Sequence, residues 1–542
     1  MSAYIYSIYA MISQRGEVYF DSVVMIITFV LVGKYLEILS KKHAVDTLDS
    51  LMGNTPTEVT IIQDKGKALI GVEEVKIHDI IELKSGEKVV IDGVVSQGSA
   101  SFDESSLTGE NIPLYKKEGD TILSGSICLD SHLHYKATKT LATSMLSSIV
   151  SLLETSLSKK PRIEQLANRL SGYFSSTILV LALLTFIGWY FYSHSFETAL
   201  IVGISVIVIA CPCALGLATP MATLVGISMA IKKGILFKEA SFLETMAGTT
   251  ILALDKTGTI TQGKPSVVHA SLKKNFDPSM LHALVSTSNH PISKGIQHYL
   301  EEKYTLSSNL CLEHIKSIEA KGLEATYQGK TLKGGNASFM QTQKDSEHSL
   351  FFFSIDGEIL AQFELSDTIR EGTKEAIQNI KALGIEVYML TGDHEQSAKK
   401  VGAEVGITNI HAQLLPQDKA KFIEDFHAQG QKVVMVGDGI NDAIALASAD
   451  IAMSMGKGAD IAISVSDVVL LEEDPQHIYE ALKLSKRTFR TVKENLAFSL
   501  LYNLITIPLA ILGFVTPLFA ALSMSLSSLV VVGNSLWMRG KK

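Results

Sequence analysis

Long apolar runs without charge alternate along this chain with two large polar blocks. Residues 173–192 (YFSSTILVLALLTFIGWYFY) carry no charged side chain and match one membrane crossing in length. Residues 198–231 are charge-free between Glu197 and Lys232, long enough for one tilted or broken helix. Residues 497–538 are charge-free as well but exceed a single span, and Gly513-Phe514-Val515-Thr516-Pro517 divides them in two. A weaker span at 22–39 contains Lys34 and Glu37. The opening MSAYIYSIYAMI is apolar, too short to cross alone, and lacks the basic start of a signal peptide. Basic residues such as Lys41, Lys42, Arg162, Lys232, Lys233, Arg487 and Arg539 flank one side of the spans, while connections 193–197 and 513–517 have no Lys or Arg. Positive loops stay inside, so 43–170, 234–486 and the C-terminus are expected in the cytoplasm.

The first polar block shows apolar residues at every second position, broken by turn residues, at 58–62 (EVTII), 79–83 (DIIEL) and 88–93 (KVVIDG). That pattern predicts a small β-rich domain over about 55–135. Within it Thr108-Gly109-Glu110 makes a tight turn that exposes a carboxylate. The second block holds three strand-like runs, 250–254 (TILAL), 386–390 (EVYML) and 432–436 (KVVMV). Their sequels are Asp255-Lys256-Thr257-Gly258-Thr259, Thr391-Gly392-Asp393 and 437–442 (GDGIND). Strands that each end in Thr or Asp with glycine predict a doubly wound α/β domain with one site along the carboxyl edge of its sheet. A polar stretch from about 263 to 363 interrupts this domain and reads as an inserted lobe.

Composition agrees with a mixture of membrane and soluble parts, at 46% hydrophobic and 19% charged residues over 542 positions. The net charge of −8 gives no hint of a nucleic-acid partner. Four cysteines in so long a chain make no disulfide framework, and Cys128 and Cys311 read as small packed residues.

The chemistry is carried by a few positions. A carboxylate at Asp255 is placed to attack the terminal phosphoryl group of ATP and hold it as an aspartyl phosphate. Asp438 and Asp442 suit a hard cation that prefers oxygen ligands, hence magnesium. Lys419 would neutralise phosphate charge during transfer. Cys211-Pro212-Cys213 lies within the 198–231 run. Proline breaks a helix, which lets sulfurs at i and i+2 turn to one point, and soft thiolates select Cu(I) or Zn(II) and its heavier relatives.

In this order the blocks resemble the P-type cation-transporting ATPases along essentially the whole chain. The resemblance implies that Asp255 is phosphorylated, with Lys256 and Thr257 in the same string, and that Thr391 and Asp393 belong to the catalytic centre. It implies magnesium held by Asp255, Thr257 and Asp438 with Asp442 close by, and Glu110 positioning the water that hydrolyses the aspartyl phosphate. His290-Pro291 resembles the pair by which the heavy-metal subclass holds adenine, and Gly322 and Gly334 are carried over as nucleotide-lobe glycines. Asn111, Asn289 and Gly322-Leu323-Glu324 depart from the family pattern. The implied fold is multidomain, an α-helical transmembrane bundle with a β-rich actuator domain and a doubly wound α/β phosphorylation domain carrying an inserted α/β nucleotide-binding lobe. The boundaries expected are membrane helices at 1–42, actuator at 43–158, membrane helices at 159–233, phosphorylation domain at 234–262 and 364–486, nucleotide lobe at 263–363, and final membrane helices at 487–542. ATP and Mg2+ follow as substrate and cofactor, and a bacterial inner membrane with cytoplasmic catalytic domains as the location.

Within the subclass, Cu(I) pumps carry a Tyr-Asn pair in the penultimate helix and Met-x-x-Ser-Ser in the last. This chain has Tyr502-Asn503 and Met524-Ser525-Leu526-Ser527-Ser528, whereas the lysine and aspartate of the zinc, cadmium and lead branch are missing from 497–538. The expected cargo is Cu(I), bound by Cys211, Cys213, Met524, Tyr502, Asn503 and Ser528, taken up past Glu37 and handed over by a copper chaperone. Asp21 sits where copper pumps place a releasing acid, and Asn168 where they place an uptake aspartate. Two alternatives stay open: a Zn(II)/Cd(II) pump of the same subclass, and an idle fragment acting as a metal-binding partner. The subclass normally has eight spans and often a Cys-x-x-Cys domain. Five clear spans without that motif lead to the expectation of an N-terminally truncated chain.

Overall fold

The computed structural model describes residues 56–540 except 64–65, 105–112, 148–160, 211–212, 289, 307–309, 311, 319–320, 341, 343–348, 394, 438–441 and 457–465, together with scattered helical positions before residue 56. The expected span at 22–39 and Cys311 therefore lie largely or wholly outside the described residues. Two compact units form: Met1–Gly248 with Asp467–Leu471 and Glu480–Lys542, and Thr249–Ser466 with Glu472–Tyr479.

The first unit begins with strands β1 (Glu58–Gln63), β2 (Gly66–Gly71), β3 (Ile80–Leu83), β4 (Gly93–Gln97), β5 (Ala100–Asp103), β6 (Leu114–Lys116), β7 (Thr121–Ile122), β8 (Ile127–Cys128) and β9 (Leu133–Ala137). They make a six-stranded sheet in the order β2-β1-β3-β9-β4-β7 and a three-stranded sheet β6-β5-β8. Their core is built on Ile81, Phe102, Leu133 and Tyr135, with Cys128 buried among them as expected. One expected strand is corrected. The 88–93 run does not form a ladder strand, and β4 starts only at Gly93. Val89, Val90 and Ile91 are all buried, which is incompatible with one face in and one face out. Asp92 anchors the segment instead, its carboxylate accepting from the Ser124 and Met145 backbone N–H groups at 2.7 and 2.9 Å.

Helices α1 (Arg162–Ser193), α2 (Phe196–Ile209) and α3 (Cys213–Ile231) follow, then β10 (Ile235–Phe237) and α4 (Ala240–Ala247). The 198–231 run is thus two helices, α2 ending at Ile209 and α3 starting at Cys213, with Cys211 and Pro212 between them outside the described residues, whereas Pro220 lies within α3.

The second unit contains β11 (Ile251–Leu254), β12 (Thr261–Leu272), α5 (Pro278–Val285), α6 (Pro291–Lys303), β13 (Glu313–Ile318), β14 (Gly322–Tyr327), β15 (Lys330–Gly335), β16 (Ser349–Ile355) and β17 (Glu358–Ile369). It continues with α7 (Thr373–Ala382), β18 (Glu386–Leu390), α8 (Glu395–Val405), β19 (Asn409–His411), α9 (Pro416–Ala428), β20 (Val433–Gly437), α10 (Ala443–Ser448) and β21 (Ile451–Met455). Strands β21-β20-β11-β18-β19 pair in parallel in that order. The inserted lobe is an antiparallel sheet, β12-β17-β16-β15-β14-β13, covered by α5 and α6. The remaining elements are β22 (Val468–Leu470), which pairs antiparallel with β10 in the first unit, α11 (Gln476–Ile511) and α12 (Pro517–Trp537).

Among the described residues α1, α11 and α12 are long and apolar enough to cross a membrane, and α2 and α3 are shorter apolar helices. Leu179, Val180, Leu183 and Leu184 on α1 each stand more than half exposed, a surface that only lipid would cover without cost. Trp189 on α1 donates its indole N–H to the Ile511 carbonyl at 2.8 Å, beside the turn that separates α11 from α12. Gly513 in that turn has φ +79°, and a Cβ there would lie 2.7 Å from the Trp189 ring.

Candidate phosphoryl-transfer site

All strands of the parallel sheet present their carboxyl ends to one edge, and Asp255 and Thr391 stand there directly after β11 and β18. Asp255 is buried and caps the tight turn Lys256–Ile260, its Oδ2 accepting from the Thr257 backbone N–H at 2.9 Å. Gly258 in that turn has φ +76°, a conformation that favours glycine. The Lys419 ammonium, on the first turn of α9, donates to Asp255 Oδ1 at 2.5 Å and to Asp442 Oδ1 at 2.6 Å. Burial opposes the charge on Lys419, but the Asp255 and Asp442 carboxylates outweigh it and raise its pKa above the ordinary lysine value. The lysine therefore stays cationic and both carboxylates remain compensated. Lys256 is buried and pairs with Asp393, which is partly open to solvent. The Asp393 N–H donates to Thr391 Oγ1 at 3.2 Å, and the Thr391 carbonyl accepts from Leu414 at 3.0 Å. Gly437 passes so close to Asp442 that a Cβ would lie 2.9 Å from its Oδ2.

Two residues at the end of β17 escaped the sequence reading. Asp367 accepts from Thr261 Oγ1 at 2.5 Å and from the Gly263 and Lys264 N–H groups at 3.2 and 3.1 Å. Arg370 donates to the Gly258 carbonyl at 3.0 Å and pairs with Glu473 at 2.7 Å. Together they fix the Asp255 turn and the chain that follows it. A detectable signal was an Asp and an Arg three apart, at the point where an apolar strand run stops.

A cavity of about 640 Å³ opens beside the turn, lined by Lys256, Thr257, Asp367, Asp393 and, from the lobe, His290. His290 caps α6, its Nδ1 accepting from the Ile292 N–H at 3.3 Å, and Pro291 opens the helix. Gly322 and Gly334 do not line this cavity. A Cβ on Gly322 would lie 2.2 Å from the Gly334 carbonyl oxygen, and one on Gly334 would lie 2.7 Å from Phe351, so both serve close strand packing. Clustered carboxylate and hydroxyl oxygens at the sheet edge are the donor set a magnesium ion takes. Glu110, Asp438, Cys211 and Glu37 lie outside the described residues; of Cys213 only its place at the start of α3 is described. In the last two helices, Tyr502 donates to Ser523 Oγ at 3.0 Å, adjacent to Met524. Asn503 is buried, with its Oδ1 lacking a hydrogen-bond partner among the described residues. Met524 and Ser528 are half-buried on α12.

Residues 53–154 match the P-type ATPase actuator domain family, and residues 249–450 the haloacid dehalogenase-like hydrolases. The "Copper-exporting P-type ATPase" of Staphylococcus epidermidis is 36% identical over 565 aligned positions, covering 100% of this chain and 71% of that protein. The chain belongs to the heavy-metal P-type ATPases. A protein of the same description from Staphylococcus aureus (strain MW2) is 37% identical, with 99% of this chain and 69% of the relative covered. Among solved structures, a zinc-transporting PIB-type ATPase in its E2.Pi state superposes with TM-score 0.61 at 26% identity, covering 95% of this chain and 86% of that one. As a heavy-metal P-type ATPase the chain is a multi-pass membrane enzyme with cytoplasmic catalytic domains. It hydrolyses ATP through an aspartyl phosphate to drive a metal ion across the bilayer.

Proposed function

We propose that this heavy-metal P-type ATPase exports Cu(I), with Asp255 as the phosphoryl acceptor. The observation that carries the metal assignment is the character of residues 497–538, in the last turns of α11 and in α12, where Tyr502, a buried Asn503 and Met524 stand without any carboxylate or lysine. The Met524 thioether suits a soft monovalent ion, and the stretch offers a divalent one no charge. The copper-exporting description of relatives aligned over the whole chain supports the same reading.

In the cycle, Asp255 Oδ attacks the terminal phosphorus of ATP, forming the acyl-phosphate bond as the bond to the departing ADP breaks. Lys419, held between Asp255 and Asp442, neutralises charge that accumulates on the transferring oxygens. Lys256, Thr257, Thr391 and Asp393 orient the phosphoryl group in the cavity. Bound magnesium would lie among Asp255, Thr257 and Asp438, with Asp442 nearby, and supplies charge neutralisation. His290 and Pro291 receive the adenine end of the nucleotide, and Gly322 and Gly334 shape the lobe behind them. Glu110 takes a proton from water, which attacks phosphorus, releases inorganic phosphate and restores the Asp255 carboxylate. Cys211 and Cys213 bind the ion with Met524, Tyr502, Asn503 and Ser528, after uptake past Glu37 from a copper chaperone.

The actuator at 43–158, the phosphorylation domain at 234–262 and 364–486, the lobe at 263–363 and the membrane segments at 1–42, 159–233 and 487–542 complete the proposal. The test is phosphoenzyme formation and ATPase activity of the membrane-embedded chain, titrated with buffered Cu(I) and separately with Zn(II). Cu(I) should stimulate at the lower free concentration; stronger stimulation by Zn(II) overturns the metal assignment.

A further inference from the structure

The actuator sheet gathers a set of side chains that the transport cycle does not use. Register places Glu82 of β3 directly opposite His134 of β9, and His134 next to Gln97 of β4 on its other side. Paired residues on neighbouring strands project to the same face, so the three side chains form a row across the sheet. His132 precedes His134 by two positions, immediately before the first residue of β9. The two imidazoles meet edge to face at 5.6 Å. One ligand atom from each of Glu82, His132 and His134 lies within 4.8 Å of the others.

The hydrogen bonding of His134 is a second observation beside the cluster. Its Nδ1 is 3.1 Å from Gln97 Oε1, an acceptor, so in the neutral ring the proton belongs on Nδ1 and Nε2 keeps its lone pair. That Nε2 is buried and has no hydrogen-bond partner among the described residues. A buried ring nitrogen left unsatisfied costs stability unless something takes it. An imidazole whose far nitrogen is fixed by an outer partner is also the usual state of a metal-ligating histidine. His132 Nε2 is 3.6 Å from Glu82 Oε1. Two ligands on one tetrahedral ion at ~2.1 Å stand about 3.4 Å apart, so this pair already has nearly the required separation. Lys67 hydrogen-bonds the same Glu82 oxygen at 2.7 Å, so without metal the carboxylate is compensated by an ammonium group that is itself largely exposed.

We propose that Glu82, His132 and His134 bind a divalent transition-metal ion of the Zn(II) class on the actuator sheet, with Gln97 orienting His134 and Lys67 competing with the ion. Two imidazoles and a carboxylate suit Zn(II), with Co(II) as its spectroscopic substitute, and water completes the shell. The set has no sulfur to favour Cu(I) and too few oxygens for Mg2+.

The experiment uses the full chain in detergent with Cys211→Ser and Cys213→Ser, so that no thiolate at the transport motif contributes. Zn(II) affinity is measured by competition with a chromophoric chelator. Co(II) reports the donor set through d–d bands without sulfur charge-transfer absorption. His132→Ala and His134→Ala should each weaken Zn(II) binding at least ~10-fold, and Gln97→Ala by ~10–100-fold, as outer-shell losses do. Lys67→Ala should tighten binding, a gain that a damaged fold would not produce. Zn(II) affinity unchanged by the double substitution His132→Ala/His134→Ala overturns the site, as does weaker binding in Lys67→Ala.

Discussion

Lys419 holds two buried carboxylates apart, and its position at the N-terminal turn of α9 makes that demanding, because a helix start disfavours cations. Only the paired charges of Asp255 and Asp442 keep it there. Lys419→Met would leave those two anions buried without compensation, a loss of ~3–5 kcal/mol for a broken buried pair. The expected result is a lower melting temperature of the cytoplasmic unit together with loss of phosphoenzyme. The sign of the pH dependence follows from the raised pKa. The contribution of Lys419 is complete below the ordinary lysine value of 10.5 and is lost as pH rises through the higher folded value. Melting curves of wild type and Lys419→Met should therefore stay a constant distance apart at neutral pH and converge only above about pH 10.5. Asp255→Asn keeps the shape of the side chain and removes the attacking charge, so incorporation of the terminal phosphate of ATP should vanish while nucleotide still binds. Persistent labelling would exclude Asp255 as the acceptor. At this scale Asp255, Thr391 and Asp393 were legible because each follows a strand-like run and ends at the same sheet edge. Asp367 and Arg370 were not, because their work is to hold backbone around Gly258 and Gly263, and no local pattern in a sequence marks a carbonyl in need of a donor.

Elements were readable wherever a periodic pattern and a strong breaker coincide. The apolar run divides into α2 and α3, and the turn before Pro517 divides α11 from α12, both near breakers visible in the sequence. The 88–93 run misled because its alternation is nominal. Val89, Val90 and Ile91 are buried through loop packing and Asp92 hydrogen bonds, a tertiary cause that period-two counting does not sense. The close approach of α3 and α11 was equally hidden, since it depends on which glycine faces which neighbour. A Cβ on Gly226 would lie 2.5 Å from Thr488 Oγ1 and 2.7 Å from its Cγ2. Small residues let membrane helices touch in this way, and overpacking such a contact costs ~1–3 kcal/mol. Gly226→Ala should lower the melting temperature of the detergent-solubilised chain. Adding Thr488→Ala should recover most of the loss, because only the Thr488 Cβ, at 3.2 Å, then remains close. Equal destabilisation with and without the second substitution would show that the two helices do not meet there.

For the whole molecule the sequence carried the family and its chemistry, since the ends of three strands and one broken membrane helix hold the diagnostic strings. It could not carry the actuator cluster of Glu82, His132 and His134, because Glu82 is far from the two histidines in the chain and meets His134 only through the register of β3 and β9. The choice of cargo is likewise a property of several helices acting together. Cu(I) is soft and accepts few ligands, so Cys211 and Cys213 should each be indispensable: removing one thiolate leaves too little to strip the ion from a cellular chelator. Met524→Ala should be milder, because a neutral thioether contributes less than a thiolate, and should appear as a higher Cu(I) concentration for half-maximal ATPase activity. Zn(II) should stimulate poorly in every variant, since residues 497–538 of the last two helices offer it no carboxylate. The measurement is metal-dependent ATP hydrolysis by wild type, Cys211→Ser, Cys213→Ser and Met524→Ala in membranes under buffered Cu(I) or Zn(II). Cu(I) activation that survives the loss of both cysteines would refute transport through that motif.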